Sequence, residues 1–210
     1  MIFLGKEIVF PNVVTANPDG IIAIGGDLSP ERLLLAYKSG IFPWYSEGEP
    51  IVWYSPDPRM VLYPKKLKIS KSMRSILKKG KFKITYNKNF EEVISSCKTI
   101  FRKGQPGTWI TEEMQKAYIK LHKIGIAKSV EVWQDNELVG GLYGIDLGHV
   151  FCGESMFSKI SNSSKLAFIH LVQKCEKENY KIIDCQVYNN HLASLGAEEI
   201  PRKEFIKLLK

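Results

Sequence analysis

The feature that most constrains this chain is a run of three strand patterns, Lys128–Trp133, Glu137–Asp146 and Val150–Ser155, followed by one amphipathic helix and a further strand. Turns at Asp135-Asn136 and at Gly148 make the three strands antiparallel neighbours. The helix is expected over about residues 162–178 and the strand over Lys181–Val187. Strands of this kind need an apolar face covered, so the pattern predicts an α+β fold with helices packed on a sheet.

Upstream, Ser70 opens a short helix that Gly80 ends, and a strand is expected over Lys81–Tyr86. Asn89 with Glu92 has the spacing of a capping box for a helix reaching about Ile100. Thr111 opens a helix whose Met114, Ala117, Tyr118 and Leu121 share one face, with Gly125 as its stop. The first 60 residues differ, being rich in Gly, Pro and aromatics around one clear helix. Ser29 is its cap, Pro30 its first turn, Leu33, Leu34 and Tyr37 its apolar face, and Gly40 its end. Phe42–Pro58 reads as ordered loop and short strands, and Pro201 opens a short terminal helix. A chain of 210 residues holds one sizeable core, or a large domain with a small one.

Charge bears on partners. Thirty Lys and Arg stand against 22 Asp and Glu, a net +8. The excess is concentrated between Pro58 and Phe90, where Arg59, Lys65, Lys66, Lys68, Lys71, Arg74, Lys78, Lys79, Lys81, Lys83 and Lys88 meet no acidic residue. Such a run is either a solvated surface or a positive field that attracts phosphates. The apolar runs are too short to cross a bilayer and the first residues have no signal-peptide pattern, so a cytoplasmic location is expected. Cys97, Cys152, Cys175 and Cys185 form no C-x-x-C pair and have no metal-ligand spacing to the four histidines. They are expected to be free, buried thiols.

Several chemistries lack their motifs. No G-x-x-x-x-G-K-[ST] loop, G-x-S-x-G elbow or H-E-x-x-H occurs, and no G-x-G-x-x-G follows a strand. The glycines of Gly140-Gly141-Leu142-Tyr143-Gly144 fall within a strand pattern, where close packing is the expected cause. Ser158–Ser164 lacks the loop with which acetyltransferases of this topology hold the pyrophosphate of coenzyme A. A substrate that arrives already activated is therefore expected. Two positions stand out as sites. Glu154, at a strand end among apolar neighbours, needs a partner if buried. Asp184 and Gln186 lie two apart on a strand and share a face opposite Ile183 and Cys185. Trp44, Trp53 and Trp109 are flanked by turn residues, placing them either in the structure or under a stacked base.

Phe42-Pro43-Trp44-Tyr45, Trp53–Arg59, Gly107–Thr111, Phe151–Phe157, Asp184-Cys185-Gln186 and His191–Ala197 occur in this order. With Asn17–Gly20, Gly25–Pro30 and Ile200-Pro201-Arg202, they resemble the bacterial leucyl/phenylalanyl-tRNA–protein transferases over about residues 10–205. The chain differs from many of them in a shorter C-terminal tail and in tyrosines at 45 and 54.

The resemblance implies a small N-terminal domain (1–59) joined to an acetyltransferase-like C-terminal domain (60–210). It implies transfer of Leu, Phe and, less well, Met from aminoacyl-tRNA to proteins beginning with Arg or Lys, marking them for N-end-rule degradation without cofactor, metal or ATP. By motif, Trp44 and Trp109 map to the terminal adenosine. Phe151, Met156 and Ile183, with Leu142, Phe168 and Leu171, map to the side-chain pocket. Glu154, Asp184 and Gln186 are its polar group, and Lys65, Lys66, Lys68, Lys71 and Arg74 are expected on the tRNA backbone. Asp184 either orients or deprotonates the incoming amine; alternatively the ribose hydroxyls carry the proton. Two other readings are an RNA-binding module without catalysis and an acyl-coenzyme A N-acetyltransferase.

Overall fold

The computed structural model describes residues 2–101 and 108–210. Gly107, at the edge of one expected motif, lies outside the described residues. The chain begins with β1 (Ile2–Leu4), β2 (Ile21–Gly25), α1 (Pro30–Lys38), β3 (Phe42–Pro43) and β4 (Val52–Tyr54). These strands form a four-stranded sheet ordered β1-β2-β4-β3. Next come β5 (Arg59–Leu62), α2 (Lys71–Lys79), β6 (Lys83–Tyr86), α3 (Phe90–Thr99) and α4 (Glu112–Lys123). The rest is β7 (Ala127–Gln134), β8 (Glu137–Asp146), β9 (Val150–Ser158), α5 (Ser163–Lys177), β10 (Ile182–Gln186), α6 (Asn190–Ser194), β11 (Glu198–Ile200) and α7 (Arg202–Leu208).

A seven-stranded sheet runs β11-β5-β10-β9-β8-β7-β6, and within it only β9 and β10 pair in parallel. The fold is α+β, with antiparallel strands, one long helix and a return strand parallel to the one before that helix. Helices cover both faces. Val93 and Ile94 of α3 and Met114, Tyr118 and Leu121 of α4 bury one side; Leu166, Phe168 and Val172 of α5 and Met73 of α2 bury the other. Ile22, Ala23 and Trp53 of the small sheet join the α3/α4 core, so apolar packing is continuous between the two sheets.

Local signals explain some of the helix ends. The hydroxyls of Ser70 and Thr111 accept the backbone N–H groups of Met73 and Met114, at 3.2 and 3.1 Å. Gly80 takes the left-handed conformation that stops α2. Two expected caps act differently. Ser29 and Asn89 stand at the N-cap positions, but neither side chain accepts a helix N–H. Asp27 accepts the Ser29 N–H at 2.8 Å, and Asn89 donates to the Glu92 carboxylate.

The glycines of β8 are close-packing positions. A Cβ on Gly144 would lie 2.2 Å from the Cys152 carbonyl oxygen, and one on Gly140 would lie 2.4 Å from the Ser163 hydroxyl. Cys97, Cys152 and Cys175 are buried and in no disulfide among the described residues, whereas Cys185 is only half-buried. No helix among the described residues is long and apolar enough to cross a membrane.

Candidate active site

The last parallel pair between β9 and β10 is Asp184 opposite Cys152. Beyond it the two strands part, and each carries an irregularity there. β9 skips Glu154 in its pairing with β8, and β10 skips Cys185 in its pairing with β5. A bulge bends its strand and re-aims a side chain. Here the two bulges lie side by side, and a side-chain bond from Gln186 Nε2 to Glu154 Oε1 (2.8 Å) bridges the gap. Gln186 has φ +65°, in the left-handed region, which turns the chain out of the sheet.

A cavity of about 430 Å³ opens at this divergence. Six of its lining residues, Leu142, Met156, Phe168, Leu171, Ile183 and Leu192, belong to or pack on the apolar cluster under α5. Glu154, Gln186 and Tyr143 line it as well, as do Phe42, Pro43, Trp44 and Trp109. Trp44 is 44% exposed, a value unusual for a tryptophan, and Trp109 is half-buried. Each therefore leaves ring surface open to a ligand.

Glu154 receives three hydrogen bonds. Tyr37 of α1 donates to Oε1 at 2.7 Å, Tyr118 of α4 donates to Oε2 at 2.9 Å, and Gln186 supplies the third. The two tyrosine hydroxyls also touch each other. Burial, with a smaller contribution from the charge of Asp184, pushes the Glu154 carboxyl up to about 8 against the pull of these donors. Near neutral pH the group holds a proton. Burial and the neighbouring Glu154 likewise raise both tyrosines well above their ordinary value.

Asp184 is completely buried behind this pair. Its Oδ1 accepts Arg59 Nε at 2.7 Å and the Gln186 backbone N–H at 2.9 Å, and its Oδ2 accepts Arg59 Nη2 at 2.7 Å. A carboxylate enclosed by a bidentate guanidinium is placed to orient its neighbours.

Most of the sequence candidates come together, and some do not. Glu154, Asp184, Gln186, Met156, Phe168, Leu171, Ile183, Trp44 and Trp109 all border the cavity. Phe151 does not. It lies on the same sheet face as Met156 but five residues earlier in β9, about 16 Å along an extended strand. Its ring covers Gly144, and with Leu171 it lines a second cavity of about 150 Å³. Trp53 is core, its indole N–H held by the Gly25 carbonyl at 2.8 Å. Lys65, Lys66, Lys68, Lys71 and Arg74 are all exposed, outside the cavity. Arg59, the first residue of that basic run, is instead 1% exposed and committed to Asp184.

Sequence reasoning missed Tyr37 and Tyr118, read only as apolar helix positions, and gave Arg59 no role in the site. A signal existed for each. A buried tyrosine needs a partner for its hydroxyl, and an arginine leading the apolar run Met60-Val61-Leu62 needs a buried anion.

Known proteins similar to this chain were found both by sequence and by structure. Residues 61–210 match the family described as leucyl/phenylalanyl-tRNA protein transferase, and residues 26–57 match its N-terminal domain. A leucyl/phenylalanyl-tRNA–protein transferase of Flavobacterium johnsoniae is 68% identical over 100% of this chain and 99% of its own. One from Syntrophus aciditrophicus is 58% identical over 99% of this chain and 87% of its own. Among solved structures, a GCN5-related N-acetyltransferase from Kribbella flavida aligns over 82% of this chain and 61% of its own, at 11% identity and TM-score 0.41. L-PGS from Bacillus licheniformis aligns over 80% and 54%, at 13% identity and TM-score 0.42.

Proposed function

The chain belongs to the leucyl/phenylalanyl-tRNA–protein transferase family, and from that premise we propose that it moves leucine or phenylalanine, and less well methionine, from aminoacyl-tRNA to the N-terminal Arg or Lys of acceptor proteins. The product is an N-end-rule degradation signal, made in the cytoplasm. One observation carries this reading. The cavity at the β9–β10 divergence is lined by one apolar cluster together with Glu154, Gln186 and two accessible tryptophans, so it offers an apolar part and a polar part. A leucyl or phenylalanyl side chain fits the apolar part, with Leu142, Met156, Phe168, Leu171 and Ile183 around it. The terminal adenosine stacks at Trp44 and Trp109, which leaves the ester beside Gln186 and Glu154.

The reaction is aminolysis. The neutral α-amine of the acceptor attacks the ester carbonyl carbon, a C–N bond forms, and the bond from that carbon to the ribose oxygen breaks. The amine loses one proton and the departing ribose oxygen gains one. An α-amine titrates near 8, so a fair fraction is already neutral at pH 7, and holding it against the ester supplies much of the rate. Gln186 touches the reacting groups and orients the amine. Glu154, kept neutral by its surroundings, fixes the Gln186 amide. Asp184 acts as an orienting group, because both its oxygens are already occupied; the ribose hydroxyls then carry the proton.

Residues 1–59 serve as a small N-terminal domain that brings Tyr37, Phe42 and Trp44 to the site, and residues 60–210 as the transferase domain. Lys65, Lys66, Lys68, Lys71 and Arg74 hold the tRNA backbone. The Lys68 N–H bonds the Leu195 carbonyl at 2.8 Å, which ties this basic segment to the α6 region whose His191 and Leu192 line the cavity.

The test is incubation of the purified protein with labelled Leu-tRNA and either an Arg-initiated or a Met-initiated protein. Label is expected at the N-terminus of the Arg-initiated protein only. Label on neither, with acetyl-coenzyme A acetylating the same protein, would favour the acetyltransferase reading. Binding of tRNA with transfer to neither would favour a non-catalytic RNA-binding module.

A further inference from the structure

Arg59 is the least accessible of the cations in the basic run, and its surroundings are specific. Its Nε and Nη2 each donate to Asp184 at 2.7 Å, and its Nη1 donates to the Gly40 carbonyl at 3.2 Å. The guanidinium carbon lies 4.8 Å from the ring centre of Phe42 and 4.5 Å from that of Phe205. One side chain thus touches the turn that follows α1, strand β3, strand β10 and helix α7. Two of these lead to the cavity: Phe42 lines it, and α1 carries Tyr37, which donates to Glu154.

The third connection runs through Asp184. The oxygen that accepts Arg59 Nε also accepts the Gln186 backbone N–H. Gln186 stands at φ +65°, a conformation that a non-glycine residue keeps only where its surroundings hold it. With the backbone held there, Gln186 Nε2 reaches Glu154 across the separated strands, and its amide oxygen is left for the cavity. A lysine has a single point charge in place of the planar fork and would not hold both carboxylate oxygens in this geometry.

We propose that Arg59 is a positioning residue for aminoacyl transfer, acting through Asp184 to hold Gln186 in its left-handed turn with its amide at the reacting ester. This rests on the function proposed above, and it assigns to the Arg59–Asp184 pair the task of holding geometry. A base at position 184 would need a free oxygen, whereas a positioning group needs only to accept the Gln186 N–H and leave no unmatched charge beside it.

The two roles separate in single-turnover transfer from Leu-tRNA to an Arg-initiated peptide, at saturating peptide, with rate constant and amplitude read separately. For Arg59→Lys, full amplitude is expected with a rate constant lower by about 10- to 10²-fold, the scale of a small misplacement of reacting groups. Leu-tRNA affinity is expected to stay within a few-fold of wild type. A lower amplitude with an unchanged rate constant would mean only fewer folded molecules, and would overturn the proposal.

Asp184→Asn is expected to be slow, because its amide faces the guanidinium with a donor. If Arg59 acts through Asp184, adding Arg59→Met to Asp184→Asn is expected to slow transfer no more than a few-fold further, because the two losses are then one effect. A double variant slower than Asp184→Asn by the full loss that Arg59→Met causes alone would show that Arg59 acts by another route, and would overturn the proposal. Should Arg59→Lys fail to fold, this charge-free pair still decides. Absence of any transfer by the wild-type protein would instead count against the proposed function.

Discussion

Glu154 sits between three donors and a buried neighbour of its own charge, so its proton is the most sensitive feature of the site. Its carboxyl titrates at about 8 when folded, against 4.5 for an ordinary glutamate. The folded state therefore binds this proton more tightly than the unfolded chain does. That contribution to stability is complete below about pH 4.5 and is lost as pH rises through 8. In thermal melts from pH 5 to 8.5, wild type is expected to lose several degrees that Glu154→Gln does not. For a chain of this size about 1 kcal/mol moves the midpoint by about 2–4 °C. Parallel curves for the two proteins would contradict a raised Glu154. The sequence pointed to Glu154 because a carboxylate among apolar neighbours is conspicuous. Its tyrosine partners were hidden because Tyr37 and Tyr118 come from distant helices, and their ring carbons fit an apolar face as well as any core residue does.

At the scale of elements, strong local periodicity was legible and pairing was not. The strands around 128–155, the helix near 162–178 and the strand near 181–187 emerge where their patterns place them. Strands β5 and β11 have four and three residues, too few to display an alternation, yet they extend the sheet beyond β10. The bulges at Glu154 and Cys185 also escape a strict two-residue period, since each is defined by the partner strand. Lys66 already pairs with Glu198 at 2.5 Å, whereas Lys65, Lys68, Lys71 and Arg74 are exposed and form no ion pair among the described residues. Replacing Lys65, Lys66, Lys68 and Lys71 by alanine is expected to flatten the salt dependence of tRNA binding, by roughly 0.7–0.9 in slope for each lysine–phosphate pair removed. An unchanged slope would remove this segment from the tRNA path.

Over the whole molecule, the small sheet and the large one share a core, and the site lies where they meet. Trp44, Phe42 and Tyr37 come from one side of that junction and Glu154, Asp184 and Gln186 from the other. This division explains why single motifs read as fragments: the cavity draws its lining from both sides, and β5, between β11 and β10, brings Arg59 to Asp184. The central claim is that the amino-acid side chain of aminoacyl-tRNA occupies the apolar part of this cavity. Ile183 is fully buried in its wall, beside Met156 and Leu171. A tryptophan there would fill much of the space, and a pocket of this type discriminates by about 1–3 kcal/mol per methylene. The direct measurement is single-turnover transfer from Leu-tRNA and from Phe-tRNA by wild type and Ile183→Trp, with folding checked by thermal melt. The expected result is that Ile183→Trp loses phenylalanine transfer first, by at least about 10-fold more than leucine transfer. Equal losses for the two amino acids in a folded variant, or no loss for either, would contradict this placement of the substrate.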